Sequence, residues 1–105
     1  MADAFYLPSV GRNRIVDVHD NYSVEETDRS VLVHTANVII TLPPTSPFQE
    51  GKVYSITNKS DGGFRILAAE GELIYIGNTG QSYLDILVNE KSRDFQRHSH
   101  QWDVQ

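Results

Sequence analysis

The sequence shows almost no helical periodicity, and this restricts the folds that the chain can adopt. No window of about eleven residues or more carries apolar side chains at the i, i+3, i+4 and i+7 spacing of an amphipathic helix. Short β-rich runs recur instead, at roughly 8–12-residue spacing, between turns of Gly, Asn, Asp or Ser. This spacing is typical of sandwiches and barrels, so the sequence predicts an all-β, antiparallel two-sheet β-sandwich of jelly-roll-like form. The predicted strands cover residues 15–18, 22–24, 30–34, 38–42, 52–57, 64–68, 73–76, 83–88, 94–97 and 101–104.

Prolines interrupt this pattern in the stretch TLPPTSPFQEG. Pro43, Pro44 and Pro47 cannot donate to a β-ladder, and each forces the residue before it into an extended conformation. A tight two-residue hairpin after Leu42 is therefore excluded. We expect the chain to cross here from one sheet to the other, with Phe48 covering the edge of the core.

Composition restricts the classes of function. The chain has 105 residues, the size of one domain, of which 39% are hydrophobic and 22% are charged. Its net charge of −5 disfavours nucleic-acid binding, which needs a basic face. Cysteine is absent, which excludes disulfides and thiol nucleophiles and fits synthesis in a reducing cytoplasm. Neither a secretory signal nor an apolar run of membrane-spanning length is present. No cofactor is expected.

The beginning of the chain follows no clear period. We predict that residues 1–14 form an extended N-terminal arm and that residues 15–105 form the β-sandwich domain. An exposed triplet of Phe5, Tyr6 and Leu7 would be a liability for a monomer. The arm therefore either docks on a neighbouring subunit or larger assembly, or adds an edge strand to its own domain.

The order of motifs from residue 21 to residue 104 points to a family. NYSV precedes an acidic turn, SVLVH and NVIITLPP; EGKVYSITNKS, a Gly-Gly turn, FRILA, GELIYI and a terminal HSHQWDV follow. This order resembles a β-structured module of tailed-bacteriophage structural proteins, found in tail fibres, baseplate appendages and head decorations or fibres. The sequence departs from the module at the last turn, where His98-Ser99-His100 stands in place of an Asp-Gly type turn.

The resemblance implies a homotrimer without cofactors that binds other virion proteins or host surface glycans. Two strands supply candidate subunit contacts, because they are apolar on both faces. In VIITL, Ile39 lies opposite Val38, Ile40 and Leu42; in SYLDILV, Tyr83 and Leu87 lie opposite Leu84, Ile86 and Val88. The interface residues predicted from these patterns and from the arm are Phe5, Tyr6, Leu7, Ile39, Tyr83 and Leu87. A fully central strand would also explain the two apolar faces.

The residues that could carry chemistry have simpler interpretations. His98 and His100 could chelate a metal around a trimer axis, but in a hairpin turn they would point into solvent, so no metal is predicted. Glu25, Glu26 and Asp28 lack the spacing of a calcium loop and are interpreted as a solvated turn.

Catalytic and sugar-binding sites find little support. Asp17, His19 and Asp20 lack a nucleophile or a second carboxylate framework, so no enzyme is predicted. A depolymerase is the third class of function, and it would need a cleft with paired carboxylates. Tyr75, Tyr83 and Trp102 could form a sugar-stacking platform. However, strand aromatics more often lie in a core or an interface, and Trp102 is expected to pack inside with Val104.

The sequence therefore predicts a non-enzymatic virion protein, made in the host cytoplasm. A trimeric capsid decoration or cement protein that stabilises the head is preferred, with the major capsid protein as partner. This preference rests on the short chain, which lacks room for a fibre shaft. The alternative is a tail fibre, baseplate or receptor-binding module that contacts host surface glycans.

Overall fold

The computed structural model describes residues 14–45, 50–88, 90–99 and 101–105. These residues form β-strands and no helix, which confirms the all-β class. A helix able to span a membrane is accordingly not found within these ranges. The strands are β1 (Arg14–Val18), β2 (Tyr22–Ser23), β3 (Asp28–Val33), β4 (Ile39–Thr41), β5 (Val53–Asn58), β6 (Phe64–Leu67), β7 (Leu73–Ile76), β8 (Thr79–Gln81), β9 (Tyr83–Ile86), β10 (Ser92–His98) and β11 (Gln101–Val104).

The strands form two sheets. The large sheet has seven strands in the order β1-β3-β5-β10-β11-β7-β8, and the small sheet has four in the order β2-β4-β6-β9. The first six strands alternate between the two sheets along the chain, so each connection in this half of the chain crosses from one sheet to the other.

This alternation explains why the predicted antiparallel pairing is only partly correct. The pairs β1–β3, β3–β5, β2–β4, β4–β6 and β7–β11 are parallel. The pairs β5–β10, β10–β11, β7–β8 and β6–β9 are antiparallel. A strand that crosses to the other sheet and returns beside its predecessor runs in the same direction as that predecessor, whereas a hairpin reverses it. The sheets are therefore mixed, and the jelly-roll form is not confirmed.

Side chains from both sheets share one hydrophobic core. Alternate residues of each strand face inward, as the period of two requires. Tyr54, Phe95 and Trp102 are its largest hydrophobic members, and all three are fully buried. The rings of Tyr54 and Trp102 meet edge to face with their centroids 5.5 Å apart. Trp102 is thus buried as expected, and Val104 packs against the same cluster.

The proline-rich stretch performs the predicted crossing. It leaves the small sheet at Thr41, the last residue of β4, and the next strand, β5, belongs to the large sheet. Thr45 is held on the way, because its backbone N–H and its hydroxyl both donate to the carboxylate of Glu72. Phe48 lies outside the described residues.

The turn at residues 60–63 does not form a hairpin, as its Asp-Gly-Gly sequence would suggest, because β5 and β6 lie in different sheets. The side chain of Asn58 organises this connection by donating to the carbonyl of Gly62 and accepting from the backbone N–H of Ser60. Gly63 then enters β6 so close to β9 that a Cβ atom there would lie 2.3 Å from the carbonyl oxygen of Ile86. A glycine is required at this position by the approach of the two backbones.

Two predicted boundaries change. Arg14 is the first residue of β1 and belongs to the domain, so the domain begins one residue earlier than the predicted residue 15. No strand was predicted between residues 76 and 83, but Thr79–Gln81 pair with β7 as strand β8. Gly80 makes this pairing possible, since a Cβ there would lie 2.7 Å from the ring of Tyr75. The rest of the predicted arm, residues 1–13, lies outside the described residues.

Candidate interaction surface

The outward face of the small sheet is the candidate functional site. In β4, β6 and β9, Ile40, Ile66 and Leu84 lie in one row across the sheet and point into the core. The neighbouring rows therefore point outward. One outward row contains Ile39, Arg65 and Asp85, and the next contains Thr41, Leu67 and Tyr83. We call these two rows, together with Leu87 and Val88 beyond β9, the small-sheet face.

An ion pair lies at the centre of this face. Nε of Arg65 donates to Oδ1 of Asp85 over 2.7 Å, and Nη2 donates to Oδ2 over 3.1 Å. The guanidinium also lies over the ring of Tyr83, 4.1 Å from its centroid. The hydrogen bonds from Arg65 lower the pKa of Asp85 below its ordinary value. The pair is thus bidentate and stacked, a geometry that holds a long side chain in one conformation.

Exposed apolar side chains flank the ion pair. The exposed fraction is 39% for Ile39, 38% for Tyr83, 58% for Leu87 and 65% for Val88. A groove of about 500 Å³ lies on the side of the ion pair away from Tyr83, and Ile39, Arg65, Asp85, Leu87 and Val88 are among its lining residues. The face therefore combines an aliphatic rim, one aromatic ring and one ordered ion pair.

Hydrogen bonds fix the segments that form the groove. Asn37 adopts a left-handed conformation, with φ of 64°, and its N–H donates to the carbonyl of Gly63. At the other side, the backbone N–H of Leu87 donates to Oε1 of Glu90, which lowers the pKa of Glu90. Arg93 holds the second oxygen of the same carboxylate at 3.0 Å. The groove is therefore bounded by ordered backbone at both ends.

The outward face of the large sheet is different in character. Ser30, Ser55 and Asp94 lie in one row across β3, β5 and β10. Asp103 of β11 lies beside Gln96 of β10 in another row. Hydroxyl, amide and carboxylate groups dominate these rows. The exposed large apolar residues of this sheet are Ile15 of β1 and Leu73 and Ile76 of β7, which lie near opposite ends of the sheet. Those of the small-sheet face lie together around one ion pair.

Part of the predicted interface lies on the small-sheet face. Ile39 is found there on β4, Tyr83 on β9 and Leu87 directly after β9. Val88 was predicted to face inward with Leu84 and Ile86, but it is exposed because β9 ends at Ile86. The predicted contacts Phe5, Tyr6 and Leu7 lie outside the described residues.

Sequence reasoning missed Arg65 and Asp85. Each is the charged outward residue of a short apolar strand, FRIL or YLDI, and such residues usually only mark the solvated side. The signal that could have identified them is their opposite charge, since facing residues of neighbouring strands often form such pairs.

A second cluster lies at the end of β1 and β3. The rings of His19 and His34 are stacked, with centroids 4.9 Å apart, and Nε2 of His34 is 2.8 Å from Oδ1 of Asp17. The sequence placed Asp17, His19 and Asp20 together, but it missed His34, which is distant along the chain. No group of three or more His, Cys, Asp or Glu side chains suited to a metal ion occurs in the described ranges.

The turn between β10 and β11 forms at the predicted place. Ser99 adopts a left-handed conformation with φ of 57°, and its backbone N–H donates to the carboxylate of Glu50. His98 is exposed, with Nδ1 3.7 Å from Oε2 of Glu50. His100 lies outside the described residues. The described part of this turn therefore brings no second imidazole to His98.

The acidic turn is not wholly solvated, contrary to prediction. Glu25 and Glu26 are exposed, but Asp28 is fully buried. Its carboxylate accepts hydrogen bonds from Nε of Arg14, the hydroxyl of Tyr22 and the backbone N–H of Glu25. These partners satisfy a buried charge that would otherwise be costly, so Asp28 is a structural residue.

The three aromatics of the possible sugar platform do not share a surface. Trp102 is buried in the core, Tyr75 lies in the large sheet against Gly80, and Tyr83 lies in the small sheet beneath Arg65. These three residues therefore do not form a stacking platform for a sugar.

Comparison of the chain with protein-family models, with curated proteins and with solved structures finds no match.

Proposed function

We propose that this chain is a non-enzymatic structural protein of a tailed-bacteriophage particle and that it acts by protein–protein association. The small-sheet face is the observation that carries the proposal. Its exposed Ile39, Tyr83, Leu87 and Val88 surround an ordered Arg65–Asp85 pair. Aromatic and arginine side chains ringed by apolar groups are the usual composition of the centre of a protein interface. The order of motifs in the sequence supplies the link to phage structural proteins.

Within this proposal, the two sheets pack as a β-sandwich around their shared core, and the chain forms a homotrimer. Leu87 and Val88 are each more than half exposed, and covering such side chains contributes on the order of 1 kcal/mol each. Three copies would therefore gain stability by covering the face, and association would add to the stability of each chain.

The preferred role is a capsid decoration or cement protein. In this role the trimer binds the major capsid protein, and the chain is a virion component made in the host cytoplasm. The Arg65–Asp85 pair supports a binding role over a catalytic one, because each group neutralises the other and neither is held apart for proton transfer.

Immunogold labelling of intact particles from the source phage tests this proposal. Gold scattered over the capsid is the expected result. Gold at the end of the tail would overturn the decoration role and favour the tail or baseplate alternative. Particles without gold would overturn the virion role itself. A preparation of particles from a phage that lacks the gene is the matched control for antibody specificity.

A further inference from the structure

The small-sheet face carries two opposite charges that can pair with those of another copy. Arg65 on β6 and Asp85 on β9 lie side by side in one outward row, so the row carries one positive and one negative charge. Adjacent strands are about 4.8 Å apart. A second copy can therefore place its Asp85 against Arg65 of the first copy, while its own Arg65 stays available for the Asp85 of another copy.

Both side chains keep capacity for a further partner. The exposed fraction is 46% for the side chain of Arg65 and 48% for that of Asp85. A guanidinium has five N–H donors and a carboxylate has about four acceptor positions. Their mutual pair uses only two of each. A second carboxylate or guanidinium can therefore bind from above without breaking the first pair.

The pair is also ordered before any partner arrives. Asp85 fixes two nitrogens of Arg65, and the ring of Tyr83 lies against the guanidinium. Ordering a long side chain during association costs free energy, and a side chain that is already ordered avoids most of that cost. Arg65 thus has the properties of an anchor residue at an interface.

The charge of the remaining surface favours the small-sheet face as the place where copies meet. The chain carries a net charge of −5, so copies repel one another on average. The large sheet presents Asp94 and Asp103 outward on β10 and β11. Two copies meeting there would bring carboxylates together, whereas the small-sheet face adds no net charge.

We infer that the occupant of the small-sheet face is a second copy of this chain, with Arg65 of one copy bound to Asp85 of the next. The inference rests on the proposed function, which has the chain act by association, and it names the partner and the specific contact. Each copy uses Arg65 on one neighbour and Asp85 on the other, so the contact is heterologous. Contacts of this kind close into a ring, such as the proposed trimer, when the rotation between copies closes, and they form filaments when it does not.

Charge reversal with mixing tests the contact. Arg65→Asp leaves two acids in the row, and Asp85→Arg leaves two arginines. The mass of each protein is measured by sedimentation at micromolar concentration, against 11.9 kDa for a single chain. We expect wild type to associate and each single variant to associate at least tenfold more weakly. An equal mixture of the two variants should associate more strongly than either variant alone, because unlike copies restore the contact. A ring of three keeps one contact between like charges, so the mixture should remain weaker than wild type, whereas the double variant R65D/D85R should return to the wild-type mass.

Matched controls separate the contact from net charge and from misfolding. Lys59→Asp changes the net charge as much as R65D, and D94R changes it as much as D85R; both positions are exposed and lie off the small-sheet face. Neither control should alter the mass. Recovery in the mixture shows that the single variants are folded, because an unfolded chain would not be rescued by its counterpart.

Two results would overturn the inference: a monomeric wild type, or single variants that associate as wild type does. Neither result affects the immunogold outcome, so failure of the contact and failure of the virion role are distinguishable. Suppose that the single variants lose association and recover it on mixing, but that the particles carry no gold. The contact would then be retained and the virion role rejected.

Discussion

The hydroxyl of Tyr22 donates a hydrogen bond of 2.6 Å to Oδ2 of Asp28, and the side chain of Asp28 is fully buried. Tyr22 belongs to the small sheet, whereas Asp28 and its second partner, Arg14, belong to the large sheet. Nε of Arg14 donates to Oδ1 of Asp28 over 2.8 Å. One buried carboxylate therefore links the edge strands of both sheets close to the point where the described chain begins.

Replacing Asp28 with Asn should destabilise the protein by about 2–4 kcal/mol. One oxygen of Asp28 accepts from Arg14, and the other accepts from Tyr22 and Glu25. Asn has only one acceptor oxygen, so its NH2 group would face a donor at one of these two positions. Tyr22→Phe removes one hydrogen bond and should cost about 1–2 kcal/mol. Urea unfolding measures both values. Asp61→Asn, at an exposed position, should change the free energy of unfolding by less than about 0.5 kcal/mol. A loss of that small size for D28N would contradict the structural role of Asp28.

Stability should decrease at alkaline pH. Burial, together with the hydrogen bond to Asp28, raises the pKa of Tyr22 to about 12. Burial raises the pKa of Tyr54 to about 12 as well. A tyrosine in the unfolded chain has a pKa of about 10. Because the folded-state value is the higher one, the contribution to stability is complete below pH 10 and is lost as the pH rises towards 12.

Urea unfolding from about pH 9 to about pH 12 measures this loss directly. In parallel, the absorbance of tyrosinate should show two tyrosines that titrate late. Tyr22→Phe should make the decrease shallower and leave the part that is due to Tyr54. A free energy of unfolding that stays constant up to about pH 11.5 would contradict both raised pKa values.

Gly63→Ala should be strongly destabilising, by at least about 2 kcal/mol. The added Cβ would lie 2.3 Å from the carbonyl oxygen of Ile86, so β6 and β9 would have to separate. Gly71→Ala is the matched control. Gly71 has open space around its Cβ position but a φ of +83°, which should cost only about 1 kcal/mol. Thermal unfolding compares the two, and a G63A variant as stable as G71A would show that the strands can move apart freely.

The fold could be predicted from the sequence in part, for a physical reason. The alternation of apolar and polar residues identifies a strand and its inward side, as it did for Ile40, Ile66 and Leu84. It does not identify the neighbour of a strand, because pairing depends on where each connection leads. The parallel pairs and the sheet change between β5 and β6 were therefore not predictable from local pattern.

The site shows the same division. Alternation within single strands predicted that Ile39, Tyr83 and Leu87 face away from the core, and all three are exposed. The Arg65–Asp85 pair depends on the register between β6 and β9, which no local pattern contains. Asp28 was wrongly predicted to be solvated, because its neighbours Glu25 and Glu26 are acidic and exposed. Its partner Arg14 is fourteen residues away along the chain.

Leu87→Ser should weaken association at least tenfold while leaving the stability of the single chain within about 0.5 kcal/mol. Leu87 is 58% exposed, so its loss removes little from the core but removes apolar surface from the small-sheet face. Ile15→Ser is the matched control, since Ile15 is 65% exposed on the edge strand of the large sheet. Sedimentation at several concentrations measures association, and urea unfolding at low concentration measures stability. If I15S weakens association as much as L87S does, exposed apolar surface in general drives association. The small-sheet face would then have no special role.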